Sequence, residues 1–371
     1  MALLASLLTA CGLNPPDPIP FVERCETVPV SMPSSGGVKH FFWLSSALPD
    51  CRDDAVQLAN YRYPQETFGT GSYEVLAADD VQTPDLTLND ATDWREALGN
   101  AIARPGNEGR LIVFIHGYAT SFDEAHMDGT GVRELAGEDP PLVVLHWPSR
   151  DSAADYLRDR SSVLWAQDTI SDTLAELSLV ADDITVVTHS MGAQAGTRAV
   201  LALESRQDAR PQAIKRLVFA SPDYDRHLAV RPGGTLDKLL RYERDILVYA
   251  SARDRALQLS GTANGYARLG STRCADDLDY ERSQRRDDQW CHLVMPRKGL
   301  AIVETGPSDA EGLLRHNDFL KSCQVREDLA AFLRGEEPPQ FRTRIEEDGL
   351  VGYKIDPLME YEGSPCQPMK G

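Results

Sequence analysis

Two regions of the 371-residue chain hold side chains that could share one chemistry. ITVVTHSMGAQAG (184–196) places Ser190 where a β-branched apolar run gives way to a helix-like run, with Gly192 two residues on. A serine hydroxyl is a weak nucleophile until a base takes its proton, and that base works best when a carboxylate orients it. Acids follow downstream: Asp223 and Asp225 after RLVFASP (216–222), and Asp254 at the end of ILVYASARD (246–254). Histidines follow too. His292 lies in a polar stretch, whereas His316 comes after the apolar run LAIVET (300–305), in GPSDAEGLLRHNDFLKS, just before a helix that Asn317 or Asp318 could cap. An imidazole, with an ordinary pKa near ~6.5, can take the serine proton and return it to a leaving group. The chemistry these types support is acyl transfer through a serine. One residue departs from the G-x-S-x-G form of such a site: Thr188 stands where the first glycine is expected, and its branched side chain crowds the turn.

The elements that must position these groups are short continuous apolar runs at 111–117, 141–148, 184–190, 216–222, 246–251 and 300–305, as expected of strands buried on both faces. Between them, helices are predicted over 122–136, 152–179, 191–205, 235–243 and 318–333, preceded by an amphipathic helix over 91–103. Strands are also predicted at 38–46 and, more weakly, at 72–78. Such alternation predicts an α/β architecture with a mainly parallel sheet and helices on both faces. No internal repeat is present. Residues 261–298, polar and irregular around RSQRRDDQ, read as an insertion or cap between the last two strands, and 336–371 as a C-terminal surface tail.

The strand–Ser190–helix context, His116-Gly117-Tyr118 at the end of LIVFIHGY, and the elbow Thr188-His189-Ser190-Met191-Gly192 together resemble the α/β-hydrolase superfamily. They are most similar to a branch of bacterial esterase-like proteins of mostly unassigned substrate. The resemblance covers about residues 108–333 and implies the α/β-hydrolase fold over 38–335. It also implies the triad order Ser190, Asp254, His316, because the family commonly carries its acid after the second strand beyond the elbow; Asp223 is the alternative acid. It implies an oxyanion hole from the backbone N–H groups of Tyr118 and Met191. Many relatives carry Asn after the H-G-[FY] stretch, where this chain has Ala119; backbone donation survives that change, and a side-chain contact does not. His116 reads as a histidine bracing the loop. His189 is expected to point away from the site.

The formal net charge of −19 disfavours nucleic acid and anionic lipid as direct partners. No dinucleotide fingerprint, phosphate-binding loop or zinc-spaced Cys/His cluster occurs, so no cofactor or metal is expected. The start, MALLASLLTACG, carries an apolar run far too short to span a membrane, where ~20 residues are needed. Leu8-Thr9-Ala10-Cys11 resembles the bacterial lipoprotein processing box, although no Lys or Arg precedes the run. That resemblance implies a signal peptide over 1–10, lipidation of Cys11, a tether over 11–37, export, and a membrane partner through the anchor. The other six cysteines fit disulfides in an exported chain; proximity favours Cys25–Cys51, Cys274–Cys291 and Cys323–Cys366 without fixing the pairing.

The expectation is therefore a serine hydrolase acting on a small carboxylic ester. The alternative is a catalytically silent binding or scaffold module on the same fold, to which Thr188 and Ala119 lend weight.

Overall fold

The structure, a computed structural model, describes residues 25–32, 37–52, 56–74, 85–150, 152, 155–273, 291–306, 316 and 318–356. The expected signal segment, Cys11, the RSQRRDDQ stretch, Cys274 and Cys366 lie outside the described residues. In chain order the strands are β1 (Val38–Asp50), β2 (Gln57–Glu74), β3 (Asp85–Asn89), β4 (Arg110–Ile115), β5 (Leu142–His146), β6 (Asp183–His189), β7 (Ile214–Ala220), β8 (Asp245–Ala250), β9 (Leu300–Glu304), β10 (Arg342–Glu347) and β11 (Leu350–Ile355). The helices are α1 (Ala91–Ile102), α2 (Phe122–Ala136), α3 (Tyr156–Val180), α4 (Gly192–Leu203), α5 (Arg226–Val230), α6 (Thr235–Leu239), α7 (Arg255–Asn264), α8 (Asp318–Lys321) and α9 (Cys323–Arg334).

Among the described residues, eleven strands join one sheet in the order β10-β11-β9-β8-β7-β6-β4-β5-β1-β2-β3. The pairs from β1 across to β11 run parallel, and only β2, β3 and β10 are antiparallel to their neighbours. Side chains alternate across each strand. Leu111, Val113 and Ile115 of β4 face α1, α3, α4 and α6, whereas Ile112 and Phe114 face α2, α8 and α9. The mainly parallel α/β sheet with helices on both faces is thus as the alternation predicts.

Four expectations change. Residues 342–355 are a hairpin that completes the sheet, not a surface tail: the turn Asp348-Gly349 has positive φ at both positions (51° and 76°), the geometry that suits a right-twisted hairpin. The insertion lies between β8 and β9, which are therefore not the last two strands. Its described flanks are core, with Leu269, Thr272 and Leu293 buried and Val294 bridged to Val351, because they cover the ends of β7 and β11. The expected tether already belongs to the domain by residue 25: Cys25 is bonded to Cys51, and the Val28 N–H donates to Leu88 O at 2.8 Å. Cys291 and Cys323 are each disulfide-bonded as well. Finally, of the weakly expected strand at 72–78, residues 72–74 are the end of β2, which starts at Gln57, and 75–78 lie outside the described residues; the half-exposed, polar, Pro-containing sequence of β2 hid it.

Where β6 passes into α4, helix and strand approach so closely that side chains are excluded. A Cβ on Gly192 would lie 2.7 Å from Ile115 O and still closer to His116 O. A Cβ on Gly196 would lie 2.6 Å from Thr188 Cγ2. Thr188 therefore fits because the space is vacated on the facing helix one turn further on, and its hydroxyl donates to Val218 O at 3.2 Å. At the ends of β4 and β5, His116 stacks between Trp147 and His146, with ring centroids 4.8 Å apart in each case. The Trp147 N–H donates to His116 Nε2, so His116 carries its proton on Nδ1 and donates it to Gly117 O at 2.8 Å. Burial lowers His116 to about 4 and pushes His146 well below its ordinary value of 6.5.

Two predictions result. Gly→Ala inside a helix ordinarily stabilises by up to about 1 kcal/mol. Gly196→Ala should instead destabilise by about 1–3 kcal/mol, because the methyl meets a short branched side chain. Adding Thr188→Gly should recover most of that loss in urea denaturation; a neutral Gly196→Ala would refute the compensation. The second concerns acid. The unfolded chain binds a proton on each buried ring once the pH falls below about 6.5, and the fold does not until far lower. Each ring's contribution is thus complete above that pH and drains by up to about 1.4 kcal/mol per pH unit as acid is added. Unfolding free energy should fall more steeply from pH 6.5 to 5 in the wild type than in His146→Gln, and equal slopes would refute the neutral ring.

Candidate active site

Ser190 sits at the turn between β6 and α4 with φ of 50°, a left-handed backbone that a serine adopts only at a cost. The turn is pinned from both sides: its N–H donates to Ala220 O at 3.0 Å, and its carbonyl accepts the Asp223 N–H at 2.9 Å. The neighbouring loop comes equally close, since a Cβ on Gly117 would lie 2.9 Å from Ser190 Cβ.

Asp254 follows β8 and caps α7. Its Oδ1 accepts the Leu257 N–H at 2.9 Å, and its Oδ2 lies 2.7 Å from His316 Nδ1. The carboxylate is fully buried, so these bonds replace the water it has lost. Glu304, at the end of β9, braces the loop bearing the acid: its Oε1 accepts the N–H groups of Ala252 (3.3 Å) and Gly306 (3.1 Å), and its Oε2 accepts the Thr272 hydroxyl. Asp223, the alternative acid, is committed elsewhere. Its Oδ1 accepts from Arg268 Nε at 2.5 Å and Ser260 Oγ at 2.6 Å, and its Oδ2 accepts from the Tyr156 hydroxyl at 2.9 Å. The structure thus pairs His316 with Asp254 and places Asp223 in the wall of the site.

His189 does not point away, as the sequence suggested. Its ring packs against the ring of His316 at 4.9 Å and against Phe319 at 5.1 Å, and its Nε2 lies 3.3 Å from His316 O. Burial, with His316 adding to it, lowers His189 to about 3, so the ring is a neutral donor that holds the His316 backbone. The strand end leaves it no other side, because Gly117 and the elbow fill the opposite one.

The loop after β4 is shaped by Asp159 on α3. This buried carboxylate accepts the Ala119 N–H (3.0 Å), the Ser149 hydroxyl (2.6 Å) and the Arg150 N–H (2.9 Å). Burial pushes it above the usual carboxylate range, and those hydrogen bonds oppose the shift. Ala119, at φ of 49°, is fixed by its backbone alone, so the missing Asn side chain leaves the loop held from the helix. The N–H groups of Tyr118 and Met191 donate to no protein acceptor among the described residues. His116 braces this loop from beneath, as expected.

Ser190 and His316 open onto one cavity of about 390 Å³. Its walls are Tyr118 and Tyr156 on one side and Leu257, Leu259 and Ala263 of α7 on the other. Sequence reasoning missed Asp159, Glu304, Tyr156 and α7. The first three act across long separations and carry no local motif. The helix was signalled, by Asp254 as an N-cap before RALQLSGTAN and Gly265 in the left-handed conformation after it. Among the described residues no group of three or more His, Cys, Asp or Glu could hold a metal ion.

No curated protein matches the sequence. Among solved structures, lipase B of Aspergillus fumigatus is 13% identical with a TM-score of 0.36, over 63% of this chain and 54% of that one, so the match spans about half of the lipase. A monoacylglycerol lipase of Paleococcus ferrophilus is 13% identical (TM-score 0.31, 61% of this chain and 95% of that one). An esterase of Pyrobaculum calidifontis is 11% identical (TM-score 0.33, 73% and 81%). A family model matches residues 92–333, from α1 to α9 and including Ser190, Asp254 and His316, and the chain accordingly belongs to the family described as "Alpha/beta hydrolase of unknown function (DUF900)".

Proposed function

We propose that this α/β hydrolase cleaves a carboxylic ester through an acyl-enzyme on Ser190. The observation that carries the reading is the shared cavity of Ser190 and His316, with His316 Nδ1 held at 2.7 Å by the buried Asp254 carboxylate. In this reading Ser190 Oγ attacks the ester carbonyl carbon as His316 Nε2 takes its proton. Asp254 keeps the Nδ1–H side of the ring occupied and balances the imidazolium. The carbonyl oxygen becomes an oxyanion facing the N–H groups of Tyr118 and Met191, each such donor being worth about 3–4 kcal/mol in the transition state. His316 returns the proton to the departing alcohol, then activates the water that releases the acid.

The leucine and alanine side chains of α7, together with Leu157, give the acyl part an apolar surface, and the cavity's size falls within the range of small-ligand sites, about 300–1,000 Å³. The elbow accommodates Thr188 and the loop keeps its shape with Ala119, so neither residue favours a silent module.

Hydrolysis of p-nitrophenyl esters of increasing chain length tests the reading. Turnover should be present in the wild type, fall at least about a thousandfold in Ser190→Ala, and fall by about three to four orders of magnitude in Asp254→Asn. A folded wild type that neither turns over any ester nor reacts with a fluorophosphonate would sink it. We also propose, from the sequence around Cys11 alone, that the mature chain begins at a lipidated Cys11 and faces the periplasm or cell exterior. Mass spectrometry of the membrane-fraction protein should find a diacylated N-terminal cysteine, and an intact Met1 would overturn this.

A further inference from the structure

Beside the catalytic cavity lies a second one, of about 580 Å³, between α3 and α4. The two share a polar partition. Tyr156, Asp223 and Ser260 line the first cavity, and Arg268 and Asn264 line the second. These five side chains are bonded together: the Asn264 amide donates to the Tyr156 hydroxyl at 2.7 Å, and Arg268 is ion-paired with Asp223.

The charge of the second cavity runs against that of the molecule. Its lining holds three guanidinium groups, Arg160, Arg198 and Arg268, and one carboxylate, Asp225. Arg268 is spent on Asp223, and Asp225 caps α5 through the Leu228 N–H at 2.9 Å. Arg160 and Arg198 are exposed and make no ion pair or side-chain hydrogen bond among the described residues. In a chain of net charge −19, two arginines from different helices thus converge on a cavity with neither of them in an ion pair among the described residues. Helix geometry makes the convergence deliberate. Arg160 and Gln167 of α3 lie two turns apart on one face, and Gln194 and Arg198 of α4 are an i, i+4 pair. Beside the neutral polar side chains of Gln167, Gln194 and Thr197, the lining presents an apolar surface, with Leu164, Leu228 and Tyr266 between 42% and 56% exposed.

We propose that this cavity is a binding site for an organic anion, a carboxylate or phosphate head on an apolar body. The guanidinium groups of Arg160 and Arg198 take the head by charge-assisted hydrogen bonds, and Leu164, Leu228 and Tyr266 cover the body. The site stands apart from the hydrolytic chemistry and holds whether or not Ser190 is a nucleophile.

The test is isothermal titration of the Ser190→Ala protein with octyl phosphate, octanoate and octanol, so that turnover plays no part. The two anions should bind at least about tenfold more tightly than the alcohol. The double variant Arg160→Gln/Arg198→Gln should lose about that factor for the anions, and Arg160→Lys/Arg198→Lys should keep most of it. Both pairs are exposed, so a thermal melt like that of the parent protein confirms that the fold is intact. Equal affinity for octanol and octyl phosphate overturns the proposal, as does undiminished anion binding by the glutamine pair. Octyl phosphate added to wild-type turnover of a neutral ester then identifies the source: a raised KM makes the site the seat of an anionic end of the substrate, and an unchanged KM makes it the seat of a separate ligand.

Discussion

The arrangement depends on one steric constraint, the closeness with which α4 crosses β4 and β6. Gly192 almost touches the carbonyls of Ile115 and His116, and Gly117 almost touches Ser190. That approach puts the N-terminus of α4, the end of β4 and the serine within a few ångströms of one another. The left-handed backbone of Ser190 results from the same closeness, because the chain must reverse from strand to helix with no residue to spare. Hydrogen bonds from β7 and from the Asp223 loop hold it there, so the strain is balanced by the sheet's own connectivity. Thr188 shows that the constraint concerns space rather than a glycine at one address: Gly196 supplies on the helix the gap that the strand does not.

Around this crossing the protein fixes loops with buried carboxylates. Asp159 holds the loop after β4, Asp254 holds His316, Glu304 holds the loop that carries Asp254, and Asp223 holds the partition between the two cavities. Each anion is surrounded by backbone N–H groups, hydroxyls or a guanidinium, which is what makes burial of a charge tolerable. A carboxylate with several fixed donors constrains a loop more tightly than apolar contact does, because hydrogen bonds are directional. The histidines do the converse. His116 and His189 are buried and neutral, each donating one proton to a backbone carbonyl, and so brace the strand ends without adding charge beside the serine.

Legibility in the sequence followed the range of the interactions. The central strands announced themselves because burial on both faces demands continuous apolar runs, and α2 coincided with its expected span because Ser121 and Glu124 form a local capping box. Ser190, Asp254 and His316 could be singled out as candidates because each follows a strand of the parallel sheet, and strand order is a property of the chain. β2 was largely hidden, since an edge region half open to water tolerates Pro64, glycines and charges. The 342–355 hairpin was overlooked although its Asp-Gly turn was in plain view. Asp159 and Glu304 could not be found at all: their partners lie up to 52 residues away and are mostly backbone atoms, which any residue type supplies.

That division also runs through the candidate site. Ser190 and Asp254 sit at or just beyond strand ends, whereas most of the lining of both cavities comes from helices and loops: α3 and α7 in each, with α4, Tyr224 and Tyr266 in the second. Helix faces and loops can exchange side chains without disturbing the sheet, because their outward positions carry little of the core. The partition of Tyr156, Asp223, Ser260, Asn264 and Arg268 touches both spaces and is tied by the Asp223 backbone N–H to the carbonyl of Ser190 itself. The residue whose carboxylate ties the partition together is therefore the same one whose N–H holds the Ser190 turn.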